Sequence, residues 1–272
     1  MQTTKRFDPP PRLPELGLDL LVITPAQRGL TVTLPFICAG IYFVAACTGH
    51  WVIAVAALVY LSFVTYGSTS HDLVHRNLGL SPRTNEIFLT LIELLSLRSG
   101  HAYRMAHLHH HARFPAEDDI EAAASRRSLV GALLEGVTFH FRLWLWAFKR
   151  ARKRERGLIL IEGGLAMLLM LAAILLWQVT LVPLVYVLLM TTGAWITPLI
   201  TSYVPHNPHG KSELEQTRVF RGTALSILAL EHLYHLEHHL YPSVPHQNWP
   251  RLAKRLDPYL KKQEIIPIKL WF

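Results

Sequence analysis

"LTVTLPFICAGIYFVAACTGHWVIAVAALVYLSFVTYGST" (residues 30–69) contains no Asp, Glu, Lys or Arg. An α-helix rises about 1.5 Å per residue and the hydrocarbon core of a bilayer is about 30 Å thick, so roughly 20 apolar residues make one crossing. The stretch divides at Thr48, Gly49 and His50 into two such lengths, 30–48 and 51–69, with a link that permits only a hairpin. The pattern returns at 158–176 ("LILIEGGLAMLLMLAAILL") and 179–200 ("VTLVPLVYVLLMTTGAWITPLI"), which turn around Trp177–Thr180. Glu162 lies near the start of the third span, where it is expected to stay close to the interface. Residues 86–97 and 129–148 are too short or too polar for spans and read as interfacial or cap helices.

The whole chain agrees with that reading. Of 272 residues, 51% are hydrophobic and 17% charged, against about 25% charged for a soluble domain. Lys and Arg number 27, with 4 in residues 1–29, 14 in 70–157 and 9 in 201–272, and none in the spans. An even number of spans puts these three regions on one face, and the positive-inside rule makes that face cytoplasmic. The net charge of +8 therefore reads as membrane topology, and no nucleic-acid partner is expected. The expected fold is an all-α integral membrane protein, four transmembrane helices in two hairpins beneath a histidine-rich cytoplasmic helical cap, with both termini on the cytoplasmic side. Residues 1–29 form an N-terminal cytoplasmic segment and 251–272 a basic C-terminal tail. Cys38 and Cys47 lie in apolar sequence and read as packing residues. The proline-rich N-terminus lacks the apolar core and cleavage site of a secretory signal.

Sixteen histidines occur, and eight of them repeat one spacing: His71 and His75 in "HDLVH", His107, His110 and His111 in "HLHHH", and His235, His238 and His239 in "HLEHH". Positions three or four apart share a helix face, so each group can aim its imidazoles at a common point. Neutral imidazole is the commonest protein metal ligand. Eight are too many for one tetrahedral zinc, and no thiolates accompany them. His109 lies off the face of its group; His101, His232 and His246 stay ambiguous, and the isolated His50 and His140 read as residues that pack, bond headgroups or cap helices. The chain has neither the H-E-x-x-H of a zinc protease nor the Glu-x-x-His of soluble carboxylate-bridged di-iron proteins. A pair of irons in a nearly all-histidine shell remains, a redox-capable site at which an open position can bind O2.

Three histidine groups ordered HxxxH, HxxHH and HxxHH around two membrane hairpins resemble the integral-membrane fatty acid desaturase superfamily. It includes acyl-lipid desaturases, lipid hydroxylases, and bacterial carotenoid hydroxylases and ketolases. The resemblance covers about residues 30–250, taken as a membrane desaturase-like domain. "YRMAH" (103–107) is similar to the lead-in to the second histidine box of acyl desaturases, and "YHLEHHLYPSVP" (234–245) to the third box and its tail. "SYVPHNP" (202–208) looks more like the carotenoid enzymes, which makes His206 a candidate extra ligand and Asn207 and His209 weaker ones. The first box lacks the glycine many desaturases carry after it, and Tyr103 stands where tryptophan is usual.

The resemblance and the ligand pattern imply an O2-dependent oxidoreductase that removes hydrogen from an unactivated C–H bond of a long apolar lipid. Fatty acyl desaturation is the first expectation, carotenoid ring hydroxylation or ketolation the second. Outside the enzymes, a histidine-rich metal transporter or sensor is the alternative. Asp72, beside the first ligand, is a candidate to accept the free N–H of a metal-bound imidazole. Asp118, Asp119 and Glu237 are further carboxylates near the boxes. Arg104 is a candidate to pair with these acids or face a substrate headgroup. No nicotinamide, flavin or haem attachment motif occurs, so electrons are expected from an acidic carrier such as a ferredoxin or a cytochrome. The basic run "KRARKRERG" (149–157) fits such docking and also fits a topology anchor. "FHFRLWLWAF" (139–148) reads as an interfacial aromatic belt in preference to a channel lining.

Overall fold

The computed structural model of the chain describes residues 7–222 and 234–270. Four helical stretches are long and apolar enough to cross a membrane: Leu18–Cys47, Trp51–His75, Lys153–Gln178 and Val182–Tyr203. The all-α, four-span expectation is borne out, with bounds that extend beyond the apolar runs because helices continue past the bilayer edge. Helix α1 (Pro25–Cys47) opens on a capping box in which the Thr24 hydroxyl accepts from the Gln27 N–H and the Gln27 side chain accepts from the Thr24 N–H. Gly49, with φ of 81°, turns the chain into α2 (Trp51–Phe63). A wider π-type turn over Val64–Thr69 then leads into α3 (Ser70–His75). Extra residues of this kind in a helix often mark functional sites. Here the turn rotates α3 so that His71 and His75 face inward.

The hairpins pack through small residues and two tyrosines. Ala39, Ala45 and Ala46 of α1 and Ala54 of α2 are buried in one cluster with Tyr42, Leu58 and Tyr186, which lets the helices approach closely. Tyr42 donates to the Val182 carbonyl at 2.8 Å, and Tyr186 to that of Leu95 at 2.5 Å. Val52, Met167, Leu175 and Val179 are each at least 66% exposed, as residues facing lipid should be.

Helices α4 (Pro82–Leu95), α5 (Gly100–Arg113) and α6 (Leu129–Arg150) connect the hairpins. On α6 the apolar side chains of Val130, Leu133 and Leu134 are exposed, as on an interfacial helix. Helix α7 (Lys153–Leu175) then descends and α8 (Val182–Gly193) returns. Glu162, near the start of the third span, is buried inside the protein: it is 1% exposed and accepts from Thr90 (2.5 Å), Ser99 (2.6 Å) and the His101 backbone (3.1 Å), with His101 Nδ1 at 2.7 Å. A carboxylate buried this far is tolerated because every lone pair has a partner.

The two terminal segments fold together over the histidine-bearing end. Helix α9 (His235–Leu240) and α10 (Trp249–Lys262) share a core with Leu16 and Leu20. Asp19 receives Arg255 at 2.7 Å and also pairs with Arg251. The stretch that charge alone marks as a basic tail is largely an amphipathic helix, with Leu252, Ala253, Leu256 and Leu260 buried. Cys38 is buried and Cys47 exposed, and neither forms a disulfide.

Among the described glycines, Gly136 of α6 makes a very tight backbone approach: an added Cβ would lie 1.8 Å from the Trp195 carbonyl oxygen. Overpacking typically costs about 1–3 kcal/mol. We expect Gly136→Ala to fall at or beyond the upper end, seen as a lower melting temperature in detergent. Gly164→Ala, whose Cβ would meet nothing within 4 Å, should leave it unchanged.

Candidate metal centre

Successive helical residues are separated by about 100°, so the first and fifth members of a box point within about 40° of one another, and the fourth diverges. That divergence divides the histidines into two groups. His71, His75, His107, His111 and His238 form one; His110, His206, His235 and His239 form the other. Within each group the nitrogens that could bind a metal ion lie within 4.8 Å of one another. Each HxxHH box therefore serves both groups. His107 and His111 go to the first while His110 crosses to the second, and His235 and His239 go to the second while His238 crosses to the first.

Their ring nitrogens face one another. In the first group Nε2 of His238 lies 3.0 Å from that of His71 and 2.6 Å from that of His111, which is 3.1 Å from His107. Nε2 of His75 is buried with no hydrogen-bond partner among the described residues. In the second group Nε2 of His206 lies 3.1 Å from His110, 3.2 Å from His239 and 2.9 Å from His235.

Hydrogen bonds on the far side of the rings fix several tautomers. His206 donates from Nδ1 to the Ser202 carbonyl (2.9 Å), which can only accept. His110 Nδ1 meets Asp119 at 2.7 Å, and His107 Nδ1 meets Glu121 at 3.0 Å. With the proton on Nδ1, the inward Nε2 atoms carry lone pairs, and lone pairs 3.1 Å apart repel. A proton on one nitrogen could bridge one contact but not the several that each makes. A cation at each convergence satisfies all of them, so the residues fit a metal in both groups. Burial and then the neighbouring imidazoles push His111, His206, His238 and His239 well below the usual histidine range, which keeps them neutral and ready to ligate. Burial alone would raise the carboxyls of Asp119 and Glu121, but His110 and His107 respectively bring both below their ordinary values.

All nine histidines singled out from the sequence thus enter the two groups, including His206. Asn207 bonds the Glu215 carbonyl and His209 is exposed; neither joins a group. His109 stands 3.2 Å from Asp118, and His232 lies outside the described residues. The two other candidates, Asp72 and Arg104, are placed elsewhere. Asp72 follows His71 by one residue and so points about 100° away, where its carboxylate meets Nδ1 of His246 (2.7 Å) and accepts the His246 backbone N–H (3.2 Å). Arg104 donates to both Glu86 oxygens (2.7 and 2.6 Å) and to the Leu73 carbonyl (3.2 Å), tying α5 to α4 and α3. Glu237 pairs with Arg221 at 2.5 Å. Asp119 and Glu121, and not Asp72, are the carboxylates that meet Nδ1 of grouped histidines. Glu121 was not singled out, although "EDDIE" (117–121) places three further acids just after the box.

Two spaces adjoin the centre. A small one, about 30 Å³, is lined by His71, His107, His110, His238, Tyr66 and Tyr103. A larger cavity of about 580 Å³ extends between α5, α6, α7 and α8 and shares the Tyr66 and Tyr103 walls. His140, Phe141, Leu143 and Trp144 line it, so the aromatic run expected to be an interfacial belt forms cavity wall as well. The Tyr66 ring lies 4.8 Å from that of Tyr103, and its hydroxyl donates to Glu121 at 2.9 Å.

Four helices able to cross a membrane, with two imidazole clusters able to hold metal ions beside an apolar cavity, define the class of the protein. Comparison with known families gives a match to fatty acid desaturase over residues 45–271, and the chain belongs to this family. Membership makes it an integral membrane oxidoreductase of lipid chemistry. A search of curated proteins finds no match.

Outer partners of metal-bound imidazoles commonly contribute 10–100-fold to affinity. Asp119→Asn keeps the shape but removes the charge beneath His110, and a fall in metal affinity of about that size is expected by competitive chelator titration. Asp118→Asn, at a carboxylate facing His109, should leave it unchanged.

Proposed function

We propose that the chain is a di-iron, O2-dependent desaturase of fatty acyl chains that draws electrons from an external carrier. The single observation that carries this reading is the pair of imidazole groups set against one apolar cavity across a shared tyrosine wall. His71, His75, His107, His111 and His238 would hold one iron, and His110, His206, His235 and His239 the other. Two bound irons would supply O2 activation for C–H oxidation. The protein's own part is positional. Asp119, Glu121 and the Ser202 carbonyl hold three imidazoles in the ligating tautomer. The cavity, whose volume suits a small-molecule ligand, shields an alkyl chain from water and brings it to the Tyr66–Tyr103 wall. Placement of the reacting bond to within roughly an ångström decides between hydrogen loss and oxygenation.

The basic residues outside the spans support a cytoplasmic position for the histidine-bearing end, where Lys149–Arg156 could receive an acidic ferredoxin or cytochrome. One observation favours a second reading, carotenoid ring hydroxylation or ketolation: His206, in the segment resembling those enzymes, stands inside the second group. Transport or sensing is disfavoured because the groups gather at the ends of the spans and in the cap, whereas transport sites lie near the midplane.

The test combines metal content with product. Purified protein should contain about two irons per chain. Cells producing it should accumulate an unsaturated acyl product that disappears with His110→Ala; an oxygenated carotenoid in a pigment-producing host would select the second reading. Zinc alone from iron-replete cells, with no histidine-dependent product in either host, would refute both.

Position 164 offers a check on the cavity. Gly164 lines it with open space around its Cβ position, so Gly164→Leu should obstruct the cavity and cut product formation at least about tenfold while iron content stays at the wild-type value.

A further inference from the structure

The large cavity is mainly apolar, with Leu160, Met167, Met170 and Met190 in its lining, yet polar side chains also line it, among them Glu93, Arg98 and His140 close to the wall it shares with the metal centre. The Arg98 guanidinium lies over the Tyr66 ring, 5.0 Å from its centroid, and the His140 ring lies 6.3 Å from that of Tyr66. Glu93 meets Arg98 at Nη2 (3.1 Å) and Nε (3.0 Å), and Thr65 accepts from Nη2 at 3.3 Å. A guanidinium has five N–H donors; Glu93 neutralises the charge, but among the described residues Nε is buried without a hydrogen bond and no acceptor meets Nη1. His140 Nε2 is buried and, among the described residues, has no hydrogen-bond partner. Burial and then the Arg98 charge lower the His140 pKa to about 3, so the ring is neutral and offers hydrogen bonding without a charge of its own.

A simple alkyl chain drawn past these groups would displace any water on them and return nothing, since an unpaired buried polar group is costly. A ligand hydroxyl at that place would satisfy both, since Nη1 donates to its oxygen and Nε2 accepts its proton; a carbonyl would satisfy Nη1, and Nε2 only in the tautomer that gives up the ring's bond to the Ala194 backbone. Both groups flank Tyr66, on whose other side the metal-centre space begins, so such an oxygen would sit near the reacting carbon.

We infer that the cavity selects a long apolar substrate bearing a hydroxyl or carbonyl oxygen within a few bonds of the carbon that is oxidised, and that Arg98 and His140 read that oxygen. The inference about the reacting carbon rests on the function proposed above; the recognition of the oxygen does not. It narrows the substrate to acyl positions near an ester, amide or hydroxyl, or to an oxygenated ring, and away from methylenes remote from any headgroup.

Trp144 and Trp195 line the cavity and report on its occupancy. In detergent-solubilised protein, their quenching by bromododecanol is compared with that by bromododecane, and a Trp144→Phe, Trp195→Phe double variant gives the background from the other tryptophans. Bromododecanol should half-saturate at a concentration about tenfold lower, the worth of one buried hydrogen bond. His140→Leu should bring the two ligands together, while His140→Gln, which keeps a donor and an acceptor, should preserve part of the preference. Equal half-saturation in the wild type, or an undiminished preference in His140→Leu, overturns the recognition. The wild-type comparison decides even if the leucine variant does not fold.

The position of oxidation is read separately by fragment mass spectrometry of the cellular product. A new double bond or oxygen within a few carbons of the polar group supports the inference; one in mid-chain, remote from it, overturns the link to the reacting carbon. An alcohol preference in a protein with neither iron nor oxidised product would refute the proposed reaction and leave the recognition standing.

Discussion

Unprotonated imidazole nitrogens brought to within about 3 Å of one another repel, and no arrangement of hydrogen bonds among them removes the repulsion. His206 makes the point most sharply: its Nδ1 proton is committed to the Ser202 carbonyl, and its Nε2 faces His110, His235 and His239 at 2.9–3.2 Å. Only positive charge at the centre turns this assembly from a cost into a stabilising contact. The rest of the architecture can be understood as the scaffold that such a centre requires. The π-type turn aims α3, buried carboxylates sit behind α5, and the terminal segments lock α9 in place through α10.

Because the i+3 histidine of each HxxHH box crosses to the other group, the two sites are mechanically one. A rotation of α5 that improved the approach of His107 and His111 to the first group would move His110 relative to the second, and α9 has the same constraint through His238. The outer hydrogen bonds oppose such rotation. Asp119 also accepts the backbone N–H groups of Glu121 and Ala122, so the carboxylate under His110 is fixed by its own loop, and the loop in turn fixes Glu121 under His107. Tyr66 extends this framework to the cavity wall through its bond to Glu121. A ligand pressing on Tyr66 is therefore one carboxylate away from a candidate metal ligand.

What could be read in the sequence followed the range of the interaction. The spans were legible because the bilayer imposes a length and a polarity on consecutive residues, and the histidine groups because spacing of three and four is a local property of a helix. His206 was reachable only through a family resemblance, since nothing in its local spacing marks it. Asp72 shows where locality misleads. Adjacency to His71 in sequence means divergence on a helix, and its partner His246 is 174 residues away. The burial of Glu162 was not legible because its partners Thr90, Ser99 and His101 are far away in the chain. The aromatic run 139–148 gave no sign of which rings would face the cavity, because that depends on how α6 rolls against α7 and α8.

Those distant partners of Glu162 bear on how the cavity is held open. Helices in a bilayer gain little from the hydrophobic effect against one another, so a cavity of about 580 Å³ between them would tend to close unless its walls were fixed by other means. Glu162 ties α7 to α4 and to the start of α5, and His101 carries the connection on to Glu86 at 2.9 Å, which also receives Arg104 and Arg76. On the opposite wall the close approach of Gly136 to the Trp195 carbonyl sets the distance between α6 and the turn that follows α8. Polar bonds on one side and a backbone contact on the other thus define a space whose width does not depend on being filled. A substrate can then enter and leave such a space without the imidazole groups being rebuilt at each turnover.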